Sequence, residues 1–175
     1  MSDSLKIHSS TIRLVKGDIT LLDVRAFVFY AQHDLKLGSG YGTAITLRGG
    51  PSIQEELDPL APVETTDVVV TAAGKLGCDY ILHAVGPRFQ EDDIAGKLRT
   101  TVLNCLREAD AKGVISLAFP AMGAGFYGIK LPVCAEVTLR AIRDYLSQET
   151  AIEEIVICLL DTREYQPFAE YLSAM

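Results

Sequence analysis

Val114-Ile115-Ser116-Leu117-Ala118-Phe119 runs directly into Pro120-Ala121-Met122-Gly123-Ala124-Gly125-Phe126-Tyr127-Gly128, and a helical pattern over Leu131–Leu146 follows. The first six residues are almost wholly apolar, as a strand covered on both faces must be. The glycines after it allow positive φ and a close approach of backbone to a ligand. Successive N–H groups in such a loop can face phosphate oxygens, and the next helix adds its positive end. Pro132 falls near the first turn of that helix, where a missing N–H costs nothing. A tight strand-to-helix turn is the plain alternative. Gly123-x-Gly125-x-x-Gly128 also fits the dinucleotide fingerprint. That motif, however, belongs after the first strand of its unit, with an acidic residue about 20 positions on. Here it follows the fifth predicted strand, and Gln148 stands 20 positions on.

Outward from this unit the same alternation recurs. Ile12–Val15, Ala26–Tyr30, Val68–Thr71, Tyr80–Val85 and Ile155–Leu160 read as further strands, and Ile19–Val24 as a short helix. Ile94–Ala111 puts Ile94, Leu98, Val102, Cys105, Leu106 and Ala109 on one helical face, with Gly113 as its stop. Ser52-Ile53-Gln54-Glu55 matches a capping box, and Tyr165–Ser173 reads as a C-terminal helix. Strands alternating with helices of this length predict an α/β fold with a mostly parallel, mixed sheet between helical layers, in one domain over 1–175. Ligands in such folds bind beyond the carboxyl ends of the strands.

The totals narrow the function. The net charge is −7 and basic residues are scattered, so no extended nucleic acid is expected as a partner. One small anion remains compatible with that charge, because backbone N–H groups supply local positive potential. No apolar run approaches the ~20 residues that span a bilayer, so no membrane is expected. The opening Met1-Ser2-Asp3-Ser4-Leu5-Lys6 lacks the order of a signal peptide. Cys78, Cys105, Cys134 and Cys158 are far apart and form no Cys-x-x-Cys. They read as buried thiols in a reducing compartment, with no metal site. A cytoplasmic protein without a cofactor is the expectation.

A second glycine cluster, Leu37-Gly38-Ser39-Gly40-Tyr41-Gly42, follows the strand Ala26–Tyr30 and leads into Thr43–Leu47. Two such loops suggest two lips of one phosphate-binding cleft. Four ordered stretches then resemble the macrodomain family: Gly17-Asp18-Ile19-Thr20; Ala26–Ile45, with Phe27 to Gly42 within it; His83-Ala84-Val85-Gly86-Pro87; and Ala118-Phe119-Pro120 with Gly125-Phe126-Tyr127-Gly128. The resemblance spans nearly the whole chain and implies a three-layer α/β/α macrodomain-like fold that binds ADP-ribose or a related nucleotide diphosphate. It implies that Asp18 accepts from the adenine amino group, with Ile19 beside the ring. Gly38, Ser39, Gly40 and Tyr41 would flank the diphosphate and distal ribose. Gly123, Ala124, Gly125, Phe126 and Tyr127 would form the opposite wall. Read without a ligand, Asp18 is an N-cap of the short helix at Ile19.

Departures from the family bear on catalysis. Its paired asparagines fall at Phe29 and Gln32, the acidic residue of one hydrolytic subgroup at Gly42, and the aromatic that stacks on adenine at Leu160. Gln32, His33 and Asp34 are left as the candidate catalytic residues near a distal ribose. A solvated loop histidine and an Asx-turn aspartate are the plain readings of the last two. His83 reads as a core histidine. The implied function is therefore a binding module for ADP-ribose or for an ADP-ribosylated protein. A hydrolase acting on ADP-ribosylated proteins or on a small ADP-ribose metabolite is the alternative. A scaffold without nucleotide function would follow if Phe29, Tyr30 and Tyr41 filled the cleft.

Overall fold

Four of the six strand pairings are parallel: β2 (Ser10–Lys16) with β7 (Glu154–Leu159), β7 with β6 (Ser116–Phe119), β6 with β3 (Ala26–Tyr30), and β3 with β5 (Tyr80–Ala84). The edges run antiparallel, β1 (Ser4–Ile7) on β2 and β4 (Val68–Ala72) on β5. The computed structural model describes residues 3–175 apart from the side chain of Phe126. Its sheet has the order β1-β2-β7-β6-β3-β5-β4. Helices α3 (Ile94–Ala111), α4 (Leu131–Leu146) and α5 (Thr162–Ala174) pack on one another and cover one face. Helices α1 (Tyr41–Gly49) and α2 (Ser52–Leu57) cover the other. The expected three-layer α/β/α arrangement with a mixed sheet is what the chain adopts.

The helical face read from Ile94–Ala111 packs as expected, with Leu98, Val102, Cys105, Leu106 and Ala109 fully buried and Ile94 at the rim. Asp93 caps α3, its carboxylate accepting from Gly96 N at 3.2 Å. Other expectations need correction. Ile19–Val24 forms only a 3₁₀ turn over Ile19–Leu21. The capping box at Ser52 is not made: Pro51 already has helical dihedrals and stands as the N-cap, so Ser52 lies inside the helix. The last helix begins earlier than Tyr165, because Asp161 accepts from Glu164 N at 3.0 Å and starts it at Thr162.

One buried polar group makes the fold sensitive to pH. His83, on β5 between Phe29 and Val69, is fully buried. Its Nε2 lies 2.9 Å from Thr71 Oγ1, while Nδ1 has no hydrogen-bond partner among the described residues. Burial pushes its pKa down to about 3 from an ordinary 6.5. Below pH 6.5 the unfolded chain therefore takes up a proton that the folded chain refuses. The stability present above 6.5 is lost as the pH falls, at about 1.4 kcal/mol per unit. Between pH 6.5 and 5 wild type should lose about 2 kcal/mol more than His83→Leu in urea titrations. Parallel pH profiles of the two proteins would exclude this role.

Candidate functional site

A cleft of about 370 Å³ opens beyond the carboxyl ends of β2, β7, β6 and β3. From β2 to β3 is three strand steps, about 14 Å. The cleft has two ends and a middle, each set by a different pair of loops.

The middle lies between the two glycine loops. Ser39 and Gly40 line one side, and Gly123, Ala124 and Gly125 the other. Gly40, at φ +62°, is the N-cap of α1 and offers no side-chain cap, so the helix meets the cleft with backbone alone. Gln54 fixes the stretch before it, donating from Nε2 to Leu35 O at 3.1 Å and accepting from Leu37 N at 3.0 Å. Gly125, at φ +69°, has open space where a Cβ would stand. Gly123 is different: a Cβ there would stand 2.4 Å from Ile129 Cδ1. Gly38 does not itself line the cleft but turns the chain at φ +62° just before Ser39.

At the β3 end lie Phe29, Tyr30, Gln32 and Tyr127. Phe29 meets the His83 ring edge-on at 6.1 Å. Tyr30 meets Tyr127 edge-on at 4.7 Å and donates its hydroxyl to Pro87 O at 2.5 Å. Burial pushes the Tyr30 phenol far up, so it stays protonated. Gln32 is the one catalytic candidate that lines the cleft. His33 turns away, its Nδ1 2.8 Å from Val63 O and its Nε2 3.4 Å from Thr65 Oγ1. Asp34 makes the Asx turn, accepting from Lys36 N at 2.9 Å, and is outside the lining. The predicted ligand contact of the Phe126 side chain lies outside the described residues.

The β2–β7 end is built from Ile19, Tyr41, Cys158, Leu160, Arg163 and Glu164. Asp18 is not part of this lining. Its Oδ1 accepts from Thr20 N at 2.9 Å and Thr20 Oγ1 at 2.6 Å, and its Oδ2 accepts from Arg48 Nη1 at 2.6 Å. Partial burial works to raise its pKa, but the bonds from Thr20 and Arg48 outweigh that and leave it lowered. Tyr41 was expected beside the diphosphate and distal ribose. It lines the cleft with its hydroxyl buried, and burial pushes the phenol up to about 12. Cys158 is raised to about 11 by burial, so its thiol stays protonated near neutral pH.

Sequence reasoning missed Arg48, Arg163 and Glu164. Both α5 residues follow β7 at once, so the rule that ligands bind beyond strand ends could have found them. Arg48 lies 30 residues from its partner and left no local signal. The Gly42 position is informative in another way. A Cβ there would stand 1.7 Å from Leu37 O, so the loop has closed over the place where the hydrolytic subgroup carries its acid.

The chain matches the Macro domain model over residues 30–138. It is similar to a macro domain-containing protein of Caldanaerobacter subterraneus subsp. tengcongensis, 34% identical over 91% of this chain and 94% of that one. It is also similar to an O-acetyl-ADP-ribose deacetylase of Salmonella typhimurium, 32% identical over 94% and 96% of the two chains. Among solved structures, a variant Oceanobacillus iheyensis macrodomain with ADP-ribose superimposes with a TM-score of 0.92 at 25% identity, covering 98% of this chain and 96% of that one. A Trypanosoma brucei macrodomain in complex with ADP-ribose superimposes with a TM-score of 0.86 at 25% identity, over 92% and 68%. With a family match across well over half its length and relatives aligned nearly end to end, the chain belongs to the Macro domain family.

Proposed function

We propose that the chain, as one macrodomain in the reducing cytoplasm, binds ADP-ribose free or attached to a protein. The diphosphate lies between Ser39–Gly40 and Gly123–Gly125. The observation that carries this reading is the convergence of two glycine loops, one opening into α1 and one following β6, on one cleft of about 370 Å³. Backbone N–H groups at such loops hold an anion without a basic side chain, which suits an acidic protein. The T. brucei and O. iheyensis macrodomains with ADP-ribose support the choice of ligand. Calorimetric titration with ADP-ribose, ADP, AMP and NAD tests it, and absence of heat with ADP-ribose would refute it.

Binding without efficient hydrolysis is the reading the β3 end favours. Cleavage of an ADP-ribosyl bond needs a water fixed against the anomeric carbon, and positioning of that kind supplies several kcal/mol of a barrier. Acid–base help adds ~10²–10⁴-fold. Phe29 offers no polar group, Gly42 no side chain, and Gln32 an amide that is not a base at neutral pH. Among the described residues the one carboxylate lining the cleft, Glu164, belongs to the opposite end and accepts from Leu160 N at 2.9 Å. The hydrolase alternative draws on the name of the Salmonella relative. A timed assay on glutamate-, aspartate-, serine- and arginine-linked ADP-ribose and on O-acetyl-ADP-ribose separates the two, with turnover at least 10²-fold below an active macrodomain expected. Turnover equal to that reference on any substrate would reverse the assignment. Its loss in Gln32→Ala or Asp34→Ala would then name the residue responsible.

A further inference from the structure

The two outer edges of the sheet are built differently. β1 reads Ser4-Leu5-Lys6-Ile7, and a lysine on an edge strand is one of the devices that keep it from pairing with other chains. β4 reads Val68-Val69-Val70-Thr71-Ala72, with neither charge nor proline. Its three valines are only partly buried, Val68 and Val70 on the α3 side and Val69 on the opposite face.

The hydrogen-bond parity of β4 is set by its one neighbour. Val85 N donates to Asp67 O at 2.9 Å, and Val69 and Thr71 stand opposite His83 and Ile81. Bonded positions of an antiparallel pair recur at every second residue, so 67, 69 and 71 face β5. The N–H and C=O groups of Val68 and Val70 then face outward. Side chains occupy the edge on either side of them. Asn104 Nδ2 donates to Thr66 O at 2.9 Å, and Glu56 Oε2 accepts from Ala72 N at 3.3 Å. Among the described residues no hydrogen bond reaches the two donors and two acceptors between these caps.

A groove of about 460 Å³ opens beside this edge, lined by Asp67, Val68 and, from α3, Asn104, Arg107 and Glu108. Two basic side chains of the neighbourhood are engaged: Arg107 donates to Asn104 Oδ1 at 3.1 Å, and Lys112 lies over the ring of Tyr80 at 5.6 Å. Asp67 and Glu108 in the groove, with Glu56 at the far end of the strand, make the edge acidic on a chain of net charge −7. The edge also begins close to the cleft. Val68 stands opposite Ala84, at the carboxyl end of β5, which pairs in parallel with β3. From β3 to β4 is two strand steps, about 10 Å.

We propose that the outer edge of β4 takes an extended, lysine- or arginine-bearing segment of an ADP-ribosylated protein as an added strand, while the ADP-ribose of that protein lies in the cleft. The inference rests on the reading that the cleft holds ADP-ribose attached to a protein. Main-chain bonds to Val68 and Val70 supply pairing that any sequence can make. The groove selects among sequences, because alternate side chains of the added strand fall on the α3 side, where a cation meets Glu108. A second copy of the chain fits less well, since it sets the same acidic groups against themselves.

The test uses a synthetic peptide ADP-ribosylated on one serine, with a spacer of five glycine and serine residues leading to alternating threonine and lysine. The spacer reaches at most about 17 Å, enough for the two strand steps. The alternating tract follows the serine in one peptide and precedes it in another. A spacer-only peptide and one with glutamate for lysine are the comparisons. Wild type should bind the better lysine peptide at least about tenfold tighter than the spacer peptide, and the glutamate peptide no tighter than the spacer. Hydrogen exchange at the Val68 and Val70 amides should slow at least about tenfold with the lysine peptide and stay unchanged with free ADP-ribose. Val70→Pro removes an outward N–H that the β4–β5 ladder does not use. It should lose the gain from the lysine tract and bind free ADP-ribose as wild type does. Glu108→Lys, which leaves the strand untouched, should cut the gain about threefold or more.

Equal binding of the lysine and spacer peptides by wild type would overturn the inference. So would a gain that survives in Val70→Pro, or an equal gain with the glutamate peptide. A wild-type dimer in sedimentation that Val70→Pro abolishes would give the edge to a second copy and overturn it too. Wild type failing to bind free ADP-ribose would instead bring down the diphosphate reading, and this inference with it.

Discussion

Gly125→Val is expected to lose at least about a hundredfold in affinity for ADP-ribose, some 2.8 kcal/mol, while its melting temperature falls by only several degrees, the cost of the backbone strain. Two effects add. At φ +69° a β-branched side chain is strained whatever the space around it. Relieving that strain shifts the loop's backbone from its present course. The new side chain also points into open space, which is where the diphosphate is proposed to lie. Because nothing stands within 4 Å of the added Cβ, the core does not feel the change. Titration of ADP-ribose beside a thermal melt reads both parts. Wild-type affinity in the variant would remove the loop after β6 from the binding site.

Gly42→Asp is expected to destabilise the fold by about 3 kcal/mol or more and to restore no hydrolysis. By family position this is the substitution that returns the missing acid. The local geometry forbids it. The added Cβ would overlap Leu37 O at 1.7 Å, and a carbonyl cannot swing aside as a flexible side chain can. Leu37 is also held in place, since Gln54 accepts from its N–H and donates to Leu35 O. On the other side Thr43 Oγ1 donates to Gly38 O at 3.0 Å, and Thr46 Oγ1 to Gly42 O at 2.9 Å. For a chain of this size 3 kcal/mol corresponds to a drop of roughly 6–12 °C in Tm. A Gly42→Asp protein that melts like wild type and turns over ADP-ribosylated substrate would show that the loop can reopen.

How far the sequence carries differs between the fold and the site. Strands β3, β5, β6 and β7 were legible because each is largely apolar on both faces, a pattern that a solvated segment does not produce, while β2 and β4 showed through Ile12, Leu14 and Val15 and through Val68–Val70. β1 was not, because an edge strand with only Leu5 and Ile7 turned inward carries half the signal. α1 read as an apolar segment over Thr43–Leu47, but Gly40 starts it two residues earlier by backbone geometry alone. Within the site, the glycine loops were legible because positive φ restricts the residues a position can use. The direction of Tyr41 and the capture of Asp18 by Arg48 were not. Both depend on how α1 lies against the turn at Ile19–Leu21, which no spacing encodes.

The carbonyl of Leu37 over Gly42 also bears on how this lineage can change. An acid at position 42 becomes tolerable only after the 35–41 loop has been rebuilt, and the Gln54 clamp must be released for that. Each of these steps taken alone weakens the protein and brings no activity. The change that most resembles a single-residue return to catalysis is therefore conditional on others. If the chain binds without hydrolysing, as proposed, the two functions are separated by a valley of less stable intermediates rather than by one substitution.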